Sequence, residues 1–252
     1  MAADVRELAP GVKPVRKFLS ERGTRIWDWP VRVFHWSFSG GWIAALSIAL
    51  LTSQSGKVFP LHALIGLTLG FVVLLRVAWG VCGTKPARFS AFAFGPRRAF
   101  AYMRDAALFR ETHFAGHNPG AAWVIFAMLG LTLAQVAIGV CIGSGMRSLR
   151  QLHEVLAYVM IGLIVAHLFG IALHTIRHRE LIGLSMVDGK RAIGLEHAIV
   201  SSRPVIGAVA AMLIAGFCYG IYRNYDEVGQ TTRLPLIGVE LRIGEGEPED
   251  WE

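Results

Sequence analysis

The chain has 252 residues, of which 54% are hydrophobic and 17% are charged, and its formal net charge is +7. A soluble domain carries about 25% charged residues, so this composition predicts a membrane protein. The basic residues lie between apolar blocks, which indicates membrane-flanking charge and not a nucleic-acid partner. The three cysteines form no CxxC or CxxCH pattern, which argues against a disulfide scaffold, a covalently attached haem and a cysteine zinc site.

The first apolar block follows about thirty polar and mixed residues, which do not have the pattern of a secretory signal. Five apolar stretches then approach the roughly 20 residues that a bilayer-spanning helix needs. They are predicted at residues 31–51, 61–81, 121–142, 152–176 and 204–222. Between the second and third spans, an amphipathic helix is predicted at 97–108 on the membrane surface, with a loop packed under the bundle as the alternative.

Basic residues are concentrated before the first span, after the second and after the fourth. They are Arg6, Lys13, Arg16, Lys17, Arg22, Arg25, Lys85, Arg88, Arg97, Arg98, Arg104, Arg110, Arg177, Arg179, Lys190, Arg191 and Arg203. The two short loops on the other side carry Lys57, Arg147 and Arg150. The positive-inside rule therefore predicts a multi-pass membrane protein with its N-terminus in the cytoplasm and its C-terminus on the outer side.

Four histidines lie within the predicted spans, at His35, His62, His153 and His167. The fourteen residues between His153 and His167 rise about 21 Å in a helix, so both side chains share one face at two depths. Span direction then pairs His62 with His153 near the periplasm and His35 with His167 near the cytoplasm. A lone histidine can be a hydrogen-bonded core residue, but intramembrane ionisable groups are costly and usually functional. Two imidazoles at each of two depths predict two six-coordinate haems.

Nearby residues are candidates for holding the haem periphery. Gly66 follows His62 by one helical turn and leaves room for a flat macrocycle, although small residues also serve helix packing. Arg76 lies at the depth predicted for the cytoplasmic-side haem, and Arg32 precedes His35 by three residues. Either arginine could pair with haem propionates, since guanidinium binds carboxylates bidentately. Lipid-phosphate contact by snorkelling is the alternative.

The sequence says less about the functional roles of the remaining histidines. His174 follows His167 by two turns on the same face, and several roles are open to it. It could replace His167 as a ligand, bond a propionate, sit beside a quinone, or be an interfacial residue. His178 and His197 are predicted to be solvated loop residues, and His117 is predicted to belong to a turn before the third span.

Several stretches together resemble the bacterial cytochrome b561 family, in particular the b-type subunits of nickel–iron hydrogenases and related dihaem cytochromes b. They are 29–36 (WPVRVFHW), His62 with Arg76, 116–119 (GHNP), His153-Glu154 with His167 and His174, and 185–191 (SMVDGKR). The resemblance covers about residues 25–195. It implies a four-helix core with two b-type haems, with axial ligands at His35, His62, His153 and His167. It also implies electron transfer between a membrane quinone and a redox partner, and a quinone-side role for His174.

The expected organisation is all-α: a cytoplasmic segment (1–28), a four-helix dihaem domain (29–195), a fifth transmembrane helix (196–222) and a periplasmic tail (223–252). The fifth helix and tail depart from the family pattern and suggest an added docking element. The acidic end of the tail, 245–252, could dock a basic cytochrome c or be solvated. The expected partners are the bilayer, a quinone, and a periplasmic cytochrome c or dehydrogenase- or hydrogenase-type subunit. A homodimer or a larger complex is left open.

Two other functions are compatible with parts of this pattern. One is a non-redox, histidine-rich membrane scaffold that binds zinc or copper. Zinc needs three or four ligands in one small site, and ligands split between depths about 21 Å apart argue against it. The other is a membrane anchor within an oxidoreductase complex. The favoured interpretation is an electron-transfer subunit of a quinone-linked oxidoreductase.

Overall fold

The protein was analysed as a computed structural model, which describes residues 23–54, 56–108, 110, 117–191, 198–235 and 237–243. The basic residues at positions 6–22, the acidic tail at 245–252, Gly116 and His197 lie outside these residues. In chain order the helices are α1 (Trp29–Leu51), α2 (Pro60–Cys82), α3 (Pro96–Ala107), α4 (Pro119–Gly143), α5 (Arg150–His178), α6 (Ser185–Asp188) and α7 (Pro204–Arg223).

Within the described part of the chain, five helices (α1, α2, α4, α5 and α7) are long and apolar enough to cross a membrane. Each begins and ends within two residues of its predicted span, which confirms an all-α membrane protein. The helix predicted at 97–108 is also present, as α3. His178, predicted to lie in a loop, is instead the last residue of α5.

The starts of the long helices follow from local chemistry. Four of them have a proline in their first turn, where the missing N–H costs nothing, at Pro30, Pro60, Pro119 and Pro204. Asp28 and Asn118 are the N-caps of α1 and α4. Their side-chain oxygens accept hydrogen bonds from the main-chain N–H of Val31 at 2.9 Å and of Ala121 at 2.8 Å.

Helices α1 and α2 pack closely together, α2 packs on α4, and α4 packs on α5, while α7 crosses both α1 and α2. Helix α5 lies mainly against α4, and its main-chain packing on α1 and α2 is slight. The central apolar core contains Phe38, Trp42, Leu69, Val73 and Met160. It lies between the levels of the two histidine pairs.

One end of the bundle, which we call the α3 end, carries α3, α6 and a two-stranded sheet. Strand β1 (Thr24–Arg25) pairs antiparallel with β2 (Lys190–Arg191). The main-chain N–H groups of Ile26 and Trp27 donate to the carbonyl of Gly189 at 2.8 and 3.1 Å. Gly189 has φ of +77°, a left-handed conformation that favours glycine at the end of α6.

The opposite end, which we call the hairpin end, carries a second small sheet. Strand β3 (Thr231–Arg233) pairs antiparallel with β4 (Glu240–Arg242). The buried Thr232 hydroxyl donates to the main-chain carbonyl of Ile221 at 2.7 Å, which fixes the hairpin to the end of α7. Neither sheet was predicted, because strands of two or three residues are too short to show an alternating pattern.

Candidate functional site

His62 of α2 and His153 of α5 face each other near the hairpin end. Their ring centroids lie 6.2 Å apart, with an angle of 73° between the ring planes. An imidazole nitrogen binds a metal at about 2 Å and its ring centre lies about 1 Å further, so two rings on opposite sides of one iron are roughly 6 Å apart. The observed separation is therefore compatible with two axial ligands of one haem.

The two rings differ in their hydrogen bonding. The Nδ1 of His62 lies 2.9 Å from the main-chain carbonyl of Ala45. A carbonyl only accepts, so this nitrogen carries the ring proton and Nε2 retains its lone pair for a metal. The Nδ1 of His153 is buried, and the imidazole of His153 interacts with the main chain of Gln135. Both rings are thus chemically suited to ligation, and the main chain fixes the tautomer of His62.

His35 of α1 and His167 of α5 form the second pair, toward the α3 end. They are close enough to interact electrostatically. The Nδ1 of His35 is buried without a hydrogen-bond partner in the described part of the chain. Met160 lies seven residues from both His153 and His167 and is fully buried. The central core therefore separates the two pairs.

Space for a flat group is present beside the first pair. A Cβ placed on Gly66 would meet nothing within 4 Å, whereas one on Gly70 would lie 3.2 Å from Val136 Cγ1. Gly70 therefore permits the close contact of α2 with α4, and Gly66 borders open space. With the slight packing of α5 on α1 and α2, the residues at both levels fit a haem held by two histidines.

Comparison with known families matches residues 26–189 to the family described as prokaryotic cytochrome b561. The chain belongs to this family. The match contains all four paired histidines and ends before α7. The protein is therefore a multi-pass bacterial membrane b-type cytochrome that binds haem b and works in electron transfer. Neither the curated proteins nor the solved structures that were compared gave a match.

Arg76 is buried in this cytochrome, with 4% of its surface exposed. Its Nη2 donates to the main-chain carbonyl of Ala87 at 3.0 Å, and its guanidinium carbon lies 4.8 Å from the ring centroid of Phe89. Its Nη1 has no hydrogen-bond partner among the described residues. One donor of a buried cation is therefore without a hydrogen-bond partner in the described part of the chain, near the α3 end.

Arg32 joins α1 to α6. Its Nη2 donates to the main-chain carbonyl of Val187, and its Nε donates to that of Met186 at 3.4 Å. Its guanidinium carbon also lies 4.1 Å from the ring centroid of Trp29. These contacts hold the start of α1 against α6, a structural role that the sequence did not indicate. A propionate or quinone contact for Arg32 stays a prediction.

His174 belongs to a cluster at the α3 end of the cytochrome. Its Nε2 lies 3.1 Å from Oε2 of Glu180. The same carboxylate accepts from Nη2 of Arg191 at 2.8 Å and, through Oε1, from Nε at 3.2 Å. The side chains of Glu180 and Arg191 are 12% and 4% exposed, so the cluster is shielded from bulk solvent. Sequence reasoning missed Glu180, which follows His174 by six residues beyond the end of α5.

His117 is a second residue that sequence reasoning missed. Its ring lies 4.8 Å from the Trp27 ring and 4.5 Å from the Phe92 ring, and its Nδ1 is buried. Burial, followed by the nearby charges of Arg76 and His167, lowers the pKa of His117 to about 3. The predicted turn residue is thus a neutral buried imidazole near the second histidine pair. Its only sequence signal was its place before Asn118-Pro119.

A compact site for zinc or copper is absent from the part of the chain that the structure describes. No group of three or more histidine, cysteine or acidic side chains there is placed to hold a metal ion.

Proposed function

We propose that this cytochrome transfers electrons across the membrane through two b haems, each held by two histidines, between the quinone pool and a periplasmic redox partner. The observation that carries the proposal is the facing of His62 and His153 at 6.2 Å. The second pair, His35 and His167, lies on the same two sides of the bundle. The two pairs are about 21 Å apart by helix rise, so together they would cover most of the bilayer.

Bound haem would supply reversible one-electron chemistry. The residues of the chain do the rest. Imidazole on both sides of each iron would leave no open coordination position, which favours electron transfer over oxygen activation. The Ala45 carbonyl orients His62, and the apolar layer around Trp42 and Met160 excludes water between the two levels. Quinone chemistry also needs protons, and the hydrogen-bonded His174 and Glu180 could hold one at the α3 end.

The proposal includes an arrangement of four helices plus one. The dihaem domain is residues 29–195, and the fifth helix, predicted at 196–222, is α7 (Pro204–Arg223). The family match supports this division by ending at residue 189. The α3 end, with its basic residues, faces the cytoplasm, and the tail 223–252 lies in the periplasm. The periplasmic partner is a cytochrome c or a dehydrogenase- or hydrogenase-type subunit.

Two measurements test the proposal. We expect purified protein to give a b-type α-band in a reduced-minus-oxidised spectrum, and quinol to reduce the haems in membranes. A missing α-band would overturn the haem assignment. Haems that dithionite reduces but quinol does not would support the membrane-anchor alternative instead.

A further inference from the structure

We propose that the Trp42 indole mediates electron transfer between the two haem levels and that Thr132 holds the indole in position; this rests on the proposed function. Trp42 belongs to α1 and is buried in the central core, with 8% of its surface exposed. Its indole N–H donates to the hydroxyl of Thr132 on α4 at 3.2 Å. Electrons that pass between the two histidine pairs have to cross this core.

Trp42 lies at half the depth between the two histidine pairs. It follows His35 by seven residues on α1, and Met160 lies seven residues from each paired histidine of α5. Seven residues make close to two helical turns and rise about 10.5 Å, so each side chain shares the face of its histidine. On α2, Leu69 holds the same place after His62. These three buried residues belong to one cluster, which we call the middle layer.

Packed groups on α1 connect the middle layer with both histidine levels. Toward the α3 end, the ring centroids of Trp42 and Phe38 lie 6.5 Å apart, and those of Phe38 and Phe34 lie 5.3 Å apart. Toward the hairpin end, Ala45 follows Trp42 by three residues, and its carbonyl lies 2.9 Å from Nδ1 of His62. Helix α1 therefore provides a packed route from one level to the other through Trp42.

The indole differs from the other members of the middle layer in chemistry and in how it is held. Leu69 and Met160 are aliphatic, whereas Trp42 brings a large conjugated ring. Electronic coupling falls steeply across gaps between atoms, and a wide flat ring in a close-packed core leaves few gaps. The Thr132 hydroxyl donates to the Met128 carbonyl at 2.8 Å, so its oxygen is free to accept from the indole. The hydrogen bond therefore fixes the rotation of the ring.

The proposed step moves one electron from a ferrous haem at one level to a ferric haem at the other. Trp42 is neither oxidised nor deprotonated, because its orbitals mediate the transfer without holding the electron. No further reactant is needed. At a constant difference between the two haem potentials, the transfer rate should therefore depend on the ring and on its orientation.

The test starts an electron at the hairpin end and times its arrival at the other level. A photoactive ruthenium complex is attached to Lys57→Cys in full-length, haem-loaded protein whose three native cysteines are replaced. Lys57 is exposed and lies two residues before Phe59, whose ring stacks on that of His62 at 5.6 Å. A redox titration supplies the spectrum of each haem, and transient absorption then gives the rate between them.

We expect Trp42→Leu to slow this transfer several-fold, with haem content and both midpoint potentials unchanged. Thr132→Val removes the acceptor of the indole N–H and should also slow the transfer, whereas Thr132→Ser keeps the hydroxyl and should keep the rate. Trp123→Leu is the matched control and should change nothing. The Trp123 indole also donates a hydrogen bond, to the Phe94 carbonyl at 3.0 Å, but Trp123 is 47% exposed.

Ultraviolet resonance Raman spectra give a readout that is independent of electron transfer, since they report the hydrogen bonding of indole N–H groups. Thr132→Val should shift the signal of one tryptophan toward that of an unbonded N–H. The same substitution made together with Trp42→Phe should produce no such shift.

The proposal is overturned if Trp42→Leu keeps the original rate, if a changed potential difference accounts for its slower rate, or if Trp123→Leu slows transfer equally. An original rate in Thr132→Val would overturn the role of Thr132. If Trp42→Leu loses haem, the comparison of Thr132→Val with Thr132→Ser decides, and equal rates overturn the proposal. Failure of the proposed function is a separate result, since the unchanged protein would then show no transfer between two haems.

Discussion

At the level of single residues, the main feature of the site is an asymmetry between its histidines. The main-chain carbonyl of Ala45 fixes the proton of His62 on Nδ1. The Nδ1 of His35 lacks such a partner among the described residues. Because a hydrogen bond to the distal nitrogen orients a metal-binding histidine and raises its basicity, His62 is better oriented for metal binding than His35.

We predict that His153→Ala and His167→Ala each remove one haem and leave the other. The two variants break different pairs, so the haem that remains should differ in midpoint potential. Haem per chain and redox titration would measure both effects. His178→Ala is the control, because the His178 ring lies 4.6 Å from the His174 ring, at an angle of 39°, and belongs to neither pair. Two haems retained in either ligand variant would refute the pairing.

The lowered pKa of His117 predicts that the free energy of unfolding depends on pH. Its pKa of about 3 in the folded protein lies below the ordinary 6.5, so the unfolded chain binds more protons between these values. The stability it contributes is complete above pH 6.5 and is lost as pH falls toward 3. From pH 7 to pH 5 this loss is about 2 kcal/mol.

Replacing His117 by glutamine should remove that part of the pH dependence. Detergent-induced unfolding at pH 7 and pH 5 would show it, with the haem absorption or circular dichroism as the signal. An equal loss of stability on acidification in the variant and the unchanged protein would contradict the assignment.

The sequence located the paired histidines but not their surroundings. Spacing along one helix sets depth, so the positions of His153 and His167 in the chain are enough to place them at two levels. The burial of His117 and the contact of His174 with Glu180 depend on how segments between helices fold back. Such contacts join residues without periodic spacing, so no local pattern reports them.

At the level of elements, the start of α1 is also a junction between helices. Asp28 is fully buried and caps α1 through Oδ1. Its Oδ2 accepts from the Trp79 indole N–H at 3.0 Å and from the Thr84 hydroxyl at 2.6 Å. One carboxylate therefore joins the beginning of α1 to the end of α2 and the segment after it.

We predict that Asp28→Ala destabilises the protein by about 3 kcal/mol. The substitution removes the N-cap of α1 and leaves the buried Trp79 and Thr84 donors without an acceptor. Asn118→Ala is the matched control. Asn118 caps α4 through the bond to Ala121, and losing such a cap costs about 1 kcal/mol. Unfolding in mixed detergent with circular dichroism would give both values. Equal losses would show that the bonds to Trp79 and Thr84 add nothing.

Helix bounds were predictable because apolar length and end chemistry act locally. Pro30, Asn118 and Pro119 mark helix starts in the sequence as clearly as in the structure. The interhelical use of Asp28 was not visible, since a cap looks the same in sequence whether or not it has further partners.

At the level of the whole molecule, charge differs between the two ends. The α3 end carries many basic residues, whereas the two short loops at the hairpin end carry Lys57, Arg147 and Arg150. The packing of α7 on α1 and α2 could not be predicted, because all faces of an apolar helix look alike when lipid is the solvent.

We predict that Lys57→Cys reacts with a membrane-impermeant maleimide in intact cells and that Arg97→Cys reacts only after lysis. Both positions are exposed. The background needs Cys82, Cys141 and Cys218 replaced by serine or alanine, since two of these are exposed and one is partly so. Labelling of Arg97→Cys in intact cells would reverse the proposed orientation.

The pairing of β1 with β2 bears on how the protein is made. These strands lie immediately outside the two ends of the family-matched segment and hold them together. During synthesis at about 5–20 residues per second, β1 waits roughly ten to thirty seconds for β2 to leave the ribosome. Four hydrophobic helices therefore enter the membrane before β1 and β2 can pair. During that interval the strand pairing does not yet hold the α3 end together, and haem can bind before it forms.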